Sequence, residues 1–153
     1  MDFQLDLLKQ SRKNMLGLIQ PFSTEQLNQV PMGFKNNLAW NLGHVIVSQQ
    51  ILCYQFSGLP FSIPEDIVAQ FRRGTAPKQY IDQTQIDQMK SLALKTVDTF
   101  VEDCQNGIFV QYQAYQSLYG VKINHIQDAI VFNNTHEGLH LGYMMAIRKM
   151  ITQ

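Results

Sequence analysis

The sequence predicts an all-α protein, a four-helix bundle with long connections, over a single domain spanning residues 1–153. Three observations lead there. Four segments repeat their apolar residues at helical spacing, and no pair of alternating runs signals a sheet. A length of 153 residues suits one core. Two stretches, 57–83 and 105–123, are too long to be simple hairpin turns, which allows helix connections other than up-and-down neighbours.

The first helix runs from Phe3 to about Ile19, with Phe3, Leu7, Leu8, Met15, Leu18 and Ile19 as its apolar positions, and Pro21 stops it. Ser23-Thr24-Glu25-Gln26 suits the start of a short turn before Pro31 and Gly33. The second helix begins near Asn36-Asn37, which are good capping residues, and extends through "LAWNLGHVIVSQQILCYQF" to Gly58. A loop follows with three of the five prolines and room for one short helix after Pro64. Loops of this length in compact domains often line a site. The third helix runs from near Thr84 to about Cys104, and Asn106-Gly107 ends it. "IFVQYQAYQSLYGV" has the aromatics of extended chain but no strand to pair with, so it reads as an ordered loop. The fourth helix starts at Asn124, with Gln127 three residues on as in a capping box, and carries Arg148 and Lys149 in its last turns.

Composition excludes several functions. Lys plus Arg equals Asp plus Glu at 12 each, and charged residues make up only 16%. The densest basic spot is Arg72-Arg73, too little to track a phosphate backbone, so no nucleic acid is expected as partner. No apolar run approaches the ~20 residues that span a bilayer, so no membrane is expected either. The N-terminus lacks the basic start and apolar run of a signal peptide, and a cytoplasmic location is the expectation. Cys53 and Cys104 form no CxxC motif and read as two buried thiols.

The motif that carries chemistry is "THEGLHLGYMM", in which His136, Glu137 and His140 spell H-E-x-x-H. A zinc protease needs a third ligand downstream. Only thirteen residues follow His140, none of them Asp or Glu. The alternative pattern would need Gly and His where Tyr143 and Ala146 stand. The protease reading fails. His125 lies three turns before His136, about 16 Å along a helix, too far to share an ion.

His44 is better placed. At about 100° per residue, the fourth helix puts Ala129, Phe132, His136, His140, Tyr143, Met144 and Ile147 on one face, with the histidines mid-stripe. The second helix does the same with Trp40, Asn41, His44, Val47, Ser48 and Ile51. Three imidazoles thus point into one core. Either each finds a hydrogen-bond partner there, or the three hold a divalent cation. Gly138 and Gly142 lie on another side of the fourth helix, where a neighbour could approach closely.

Trp40-Asn41-Leu42-Gly43-His44 in a second helix, with His136-x-x-x-His140 and Gly142 in a fourth, resembles the DinB-like superfamily. The likeness takes in "PMGFKNNLAW" and the "FRRGTAP" loop. It implies a divalent metal, zinc or nickel, held by His44, His136 and His140, and a homodimer. It also implies kinship with thiol-dependent transferases and isomerases, hence a small-molecule substrate and a low-molecular-weight thiol as cosubstrate. Tyr143 departs from the pattern, since many members carry Gln after the glycine. Glu137 stands at the offset of the protease general base, and equally suits a partner to another helix. Asn41 and Ser48 flank His44 by one turn and are candidates to orient the ligands. Tyr112, Tyr115 and Tyr119 are candidates to roof a pocket. The sequence thus points to a metal-dependent enzyme, a thiol S-transferase or a hydrolase, or alternatively to a non-catalytic metal- or ligand-binding bundle.

Overall fold

A computed structural model describes residues 2–151. Helix α1 covers Asp2–Ile19, α2 Thr24–Asn28, α3 Leu38–Gln49, α4 Glu65–Phe71, α5 Gln83–Gln105 and α6 Ile126–Ile151. The bundle consists of α1, α3, α5 and α6. Both α1 and α3 pack against both α5 and α6, so α1 lies diagonally opposite α3. The two long connections make this order possible, and it sets sequence-distant helices side by side.

Local chemistry explains the helix starts. Ser23 and Gln26 form a capping box at α2, and Asp82 and Gln85 form another at α5. Asn37 caps α3 by accepting from the Trp40 amide. The fourth long helix starts differently from expectation. His125, not Asn124, accepts the amide of Asp128 at 3.3 Å, and the Asp128 carboxylate accepts the Asn124 amide at 3.0 Å. The reciprocal pattern is shifted by one residue, and Gln127 takes no part in it.

Two other segments depart from the sequence reading. The second helix does not stay α-helical to Gly58. It widens to a π-helical turn over Gln50–Tyr54, then tightens over Gln55–Ser57 before Gly58 reverses the chain. The 105–123 connection contains a minimal antiparallel pair, β1 (Tyr115–Gln116) with β2 (Lys122–Ile123). Two residues on each side leave no alternation long enough to read.

The core is divided. One apolar cluster takes Met15, Leu42, Ile46, Phe71, Met89 and Ile147, among others. A second takes Leu8, Cys53, Tyr54, Phe100 and Ile130. Between them every long helix contributes a buried polar residue: Arg12 from α1, Gln49 from α3, Thr96 from α5, and Asn133 and Glu137 from α6. Arg12 and Glu137 are both 0% exposed. Arg12 donates Nε to Glu137 Oε2 at 2.8 Å and Nη2 to Oε1 at 2.7 Å. It also donates to the carbonyls of Val45 on α3 and Ala93 on α5. One guanidinium therefore ties all four helices at mid-height, in the forked geometry that suits arginine and not lysine.

Candidate metal centre

The three histidines come together as helical phase predicts. His44 on α3 and His136 and His140 on α6 each offer a ring nitrogen, and these atoms all lie within 4.8 Å of one another. Ring centroids are 5.3 Å apart for His44–His136, 4.8 Å for His44–His140 and 4.5 Å for His136–His140. His125 stays at the start of α6, beside Asp128.

The surrounding protein fixes two of the rings. His44 Nδ1 lies 2.7 Å from the carbonyl of Phe71. A carbonyl only accepts, so Nδ1 carries the proton and Nε2 keeps its lone pair. Ser48 Oγ lies 3.3 Å from that Nε2. Trp40 stacks on the same ring, centroids 4.5 Å apart and planes 11° from parallel. His140 Nδ1 lies 2.8 Å from Asn41 Oδ1. Asn41 Nδ2 already donates to the Asn37 carbonyl at 2.7 Å, which fixes the amide orientation. The oxygen therefore faces His140, whose Nδ1 donates and whose Nε2 is free. Asn41 thus orients His140 and Ser48 adjoins His44.

The C-terminal residue of α4 supports His44 from the other side. The Phe71 ring lies directly on Gly43. A Cβ at residue 43 would stand 2.5 Å from that ring, so only glycine allows the contact that brings the Phe71 carbonyl to His44.

The imidazoles are neutral at pH 7. Burial pushes His136 down to about 3, with help from the positive charge of neighbouring His140, His44 and Arg12. Burial and His44 push His140 down to about 4. Burial also lowers His44, partly offset by its bond to Phe71. Neutral imidazoles are the form that binds metals. His136 Nδ1 is buried with no hydrogen-bond partner. Among the fully buried side-chain atoms it is the one ring nitrogen of the cluster left without a protein partner. Three neutral nitrogens in reach of one point, two of them held by their opposite nitrogens, fit a divalent cation.

Glu137 does not join them. Both its oxygens are engaged by Arg12, and Oε1 also accepts from Asn133 Nδ2 at 3.1 Å. Fully buried and paired, it does not line the pocket beside the histidines. It ties α6 to α1 through the buried pair with Arg12. Arg12 was not among the sequence candidates, although a charged residue between Leu8 and Met15 on the apolar stripe of α1 is the signal for it.

Beside the histidines lies a cavity of about 330 Å³ lined by His44, His136, Ser48, Arg73 and a set of apolar side chains. Tyr115 and Tyr119 form part of its wall. Tyr112 instead packs beneath, near Phe56, and donates its hydroxyl to the Leu52 carbonyl at 3.0 Å. Tyr143 stands edge-on to Phe34 and packs against the first apolar cluster. Gly138 and Gly142 meet no neighbour: an added Cβ at either finds nothing within 4 Å. Cys53 and Cys104 are free thiols, Cys53 buried and Cys104 only partly so. No helix among the described residues is long and apolar enough to cross a membrane.

Comparison with known proteins agrees with this architecture. The chain superposes on the crystal structure of a conserved protein from Enterococcus faecalis with a TM-score of 0.68 and 8% identity, covering 99% of this chain and 96% of that one. At that identity the likeness is one of fold. No curated protein matches the sequence. The family description of the DinB superfamily matches residues 7–144. With that match running over most of its length, the chain belongs to the DinB superfamily.

Proposed function

We propose that the protein is a metal-dependent enzyme in which His44, His136 and His140 hold a divalent cation, zinc or nickel, and that it acts on a small molecule by thiol S-transfer or hydrolysis. The observation that carries this reading is the treatment of the rings. The Nδ1 atoms of His44 and His140 are each spoken for by Phe71 and Asn41, one ring nitrogen of each of the three histidines lies within 4.8 Å of the others, and a pocket opens beside His44 and His136. A purely structural site would be closed by a fourth protein ligand. No fourth His, Cys, Asp or Glu groups with the three among the described residues.

When bound, a divalent cation supplies Lewis acidity that makes a water or a low-molecular-weight thiol nucleophilic near neutral pH. The chain's own residues do the rest. Asn41, Phe71 and Trp40 hold the imidazoles in place, and the Ser48 hydroxyl offers a hydrogen bond at the pocket floor. The aromatic wall limits the access of bulk water. The protein works as one domain, in the cytoplasm, where its two free thiols stay reduced. It forms a homodimer, for which the exposed Val131 and Met145 on α6 offer apolar surface.

The test is a screen of the metal-loaded protein with thiol and ester substrates, using 1-chloro-2,4-dinitrobenzene with a low-molecular-weight thiol, and p-nitrophenyl acetate. Turnover lost in His44→Ala, with thermal stability only modestly changed, supports an enzyme. A His44→Ala protein that loses stability, beside a wild type inert on both, would point instead to a non-catalytic bundle.

A further inference from the structure

The pocket beside the histidines has a distinctive chemistry. Phe56 and Tyr115 lie with ring centroids 4.7 Å apart on one side, and Tyr119 meets Phe132 edge-on at 5.3 Å on another. Ile51 and Leu139 fill the wall between. Leu118, Leu139 and Tyr119 remain 70%, 57% and 50% exposed around it. Apolar surface of this extent, gathered about one cavity, is what an apolar ligand would cover. At about 330 Å³ the cavity is at the small end of ligand pockets.

Beside the neutral histidines, one charged side chain lines this pocket, and it is Arg73. No Asp or Glu lines the cavity, and Arg73 forms no ion pair among the described residues. The chain takes trouble to place it. The Phe71 carbonyl is fixed on His44, two residues before. Thr75, two residues after, is fixed by accepting from Trp40 Nε1 at 3.0 Å while it donates to the Arg72 carbonyl at 2.8 Å. Gly74 makes the turn between them at φ +88°, a conformation other residues resist. The segment that orients a histidine thus also delivers an unpaired guanidinium to the lining of the same pocket.

We infer that this pocket takes a small organic anion with an apolar body, a carboxylate on an aromatic or aliphatic frame, and that Arg73 reads its charge. The inference deepens the enzymatic reading by naming the substrate class. It takes the histidines as the reacting part of the pocket, with the carboxylate at Arg73 and the apolar body against the aromatic wall. Arginine suits a carboxylate because its planar fork can donate two parallel hydrogen bonds.

The probe pair is 3-phenylpropanoate and its neutral amide, 3-phenylpropanamide, titrated calorimetrically into the full chain. Wild type and Arg73→Gln are compared, each zinc-loaded and each stripped with EDTA. The acid is expected to bind about tenfold or more tighter than the amide in wild type, as a charge-assisted hydrogen bond implies. The gap should survive metal removal and vanish in Arg73→Gln. Because Arg73 is exposed, the variant should melt close to wild type. Equal affinities for acid and amide in wild type, or no binding of either, would overturn the inference. So would a gap that persists in Arg73→Gln and disappears on stripping, since the cation would then be reading the carboxylate. If no sample retains zinc, the metal reading fails by itself, and the stripped-protein comparison still decides the anion site.

Discussion

Replacing Arg12 with Met should destabilise the fold more than a surface charge deletion would. The guanidinium and the Glu137 carboxylate are both fully buried, and four hydrogen bonds leave Arg12 for three partners: Glu137, Val45 and Ala93. The two carbonyls sit within helices and keep their places in the helical ladder. The carboxylate loses its counter-charge and is left with one bond, from Asn133. Removing one partner of a buried pair costs about 3–5 kcal/mol. For a chain of this length each kcal/mol lowers the melting temperature by about 2–4 °C, so a drop of roughly 6–20 °C is expected. Removing both charges is different. Arg12→Met combined with Glu137→Leu leaves no stranded ion, and such replacements are often neutral or even stabilising by about 1–4 kcal/mol. The double variant should therefore be more stable than Arg12→Met alone. Urea unfolding of metal-free protein, followed by fluorescence of the sole tryptophan, Trp40, and by far-UV circular dichroism, gives the full cycle. A cost below about 1 kcal/mol for Arg12→Met would refute the reasoning. So would a double variant that loses the sum of the single losses.

Other consequences follow from the same geometry. Gly43→Ala drives a methyl into the Phe71 ring and should cost about 1–3 kcal/mol by overpacking, with weaker metal retention because Phe71 carries the carbonyl that holds His44; unfolding and metal titration read the two effects. Asn41→Ala frees Nδ1 of His140 and should weaken metal binding by about 10–100-fold, measured by competition with a chromophoric chelator. The metal-free protein should lose stability on acidification. The folded-state values of His136, about 3, and His140, about 4, lie below the ordinary 6.5, so the unfolded chain takes up protons first. Stability is therefore full above pH 6.5 and declines as pH falls from there toward 4. Urea midpoints at pH 7, 5.5 and 4.5 check this, and a midpoint higher at pH 5.5 than at pH 7 would contradict it.

Much of the bundle was legible because helical period converts directly into faces. The same arithmetic put His44, His136 and His140 in mid-stripe, and the stripes do face one another. What escaped was set by packing at long range. Arg12 breaks the apolar stripe of α1 in plain view, but its partner lies 125 residues away, and no spacing rule links them. The π turn over Gln50–Tyr54 has an apolar and polar mixture that also suits an α-helix, so its residues carry no signal of the wider turn. The hairpin at Tyr115 is too short to produce a periodic signal. The start of α6 was misplaced by one residue because Asn124 is the better cap by type, whereas His125 is the one that accepts the Asp128 amide. Arg73 was visible only as half of a basic doublet, since its role depends on where the turn at Gly74 sends it.

The central claim is that three histidines from two helices hold one cation. Elemental analysis of untagged protein, wild type beside His44→Ala and His140→Ala, tests it most directly. The account predicts near-stoichiometric zinc or nickel in wild type and its loss from both variants while far-UV circular dichroism stays helical. Wild type that binds no metal after incubation with either ion would contradict it, as would undiminished metal in His44→Ala.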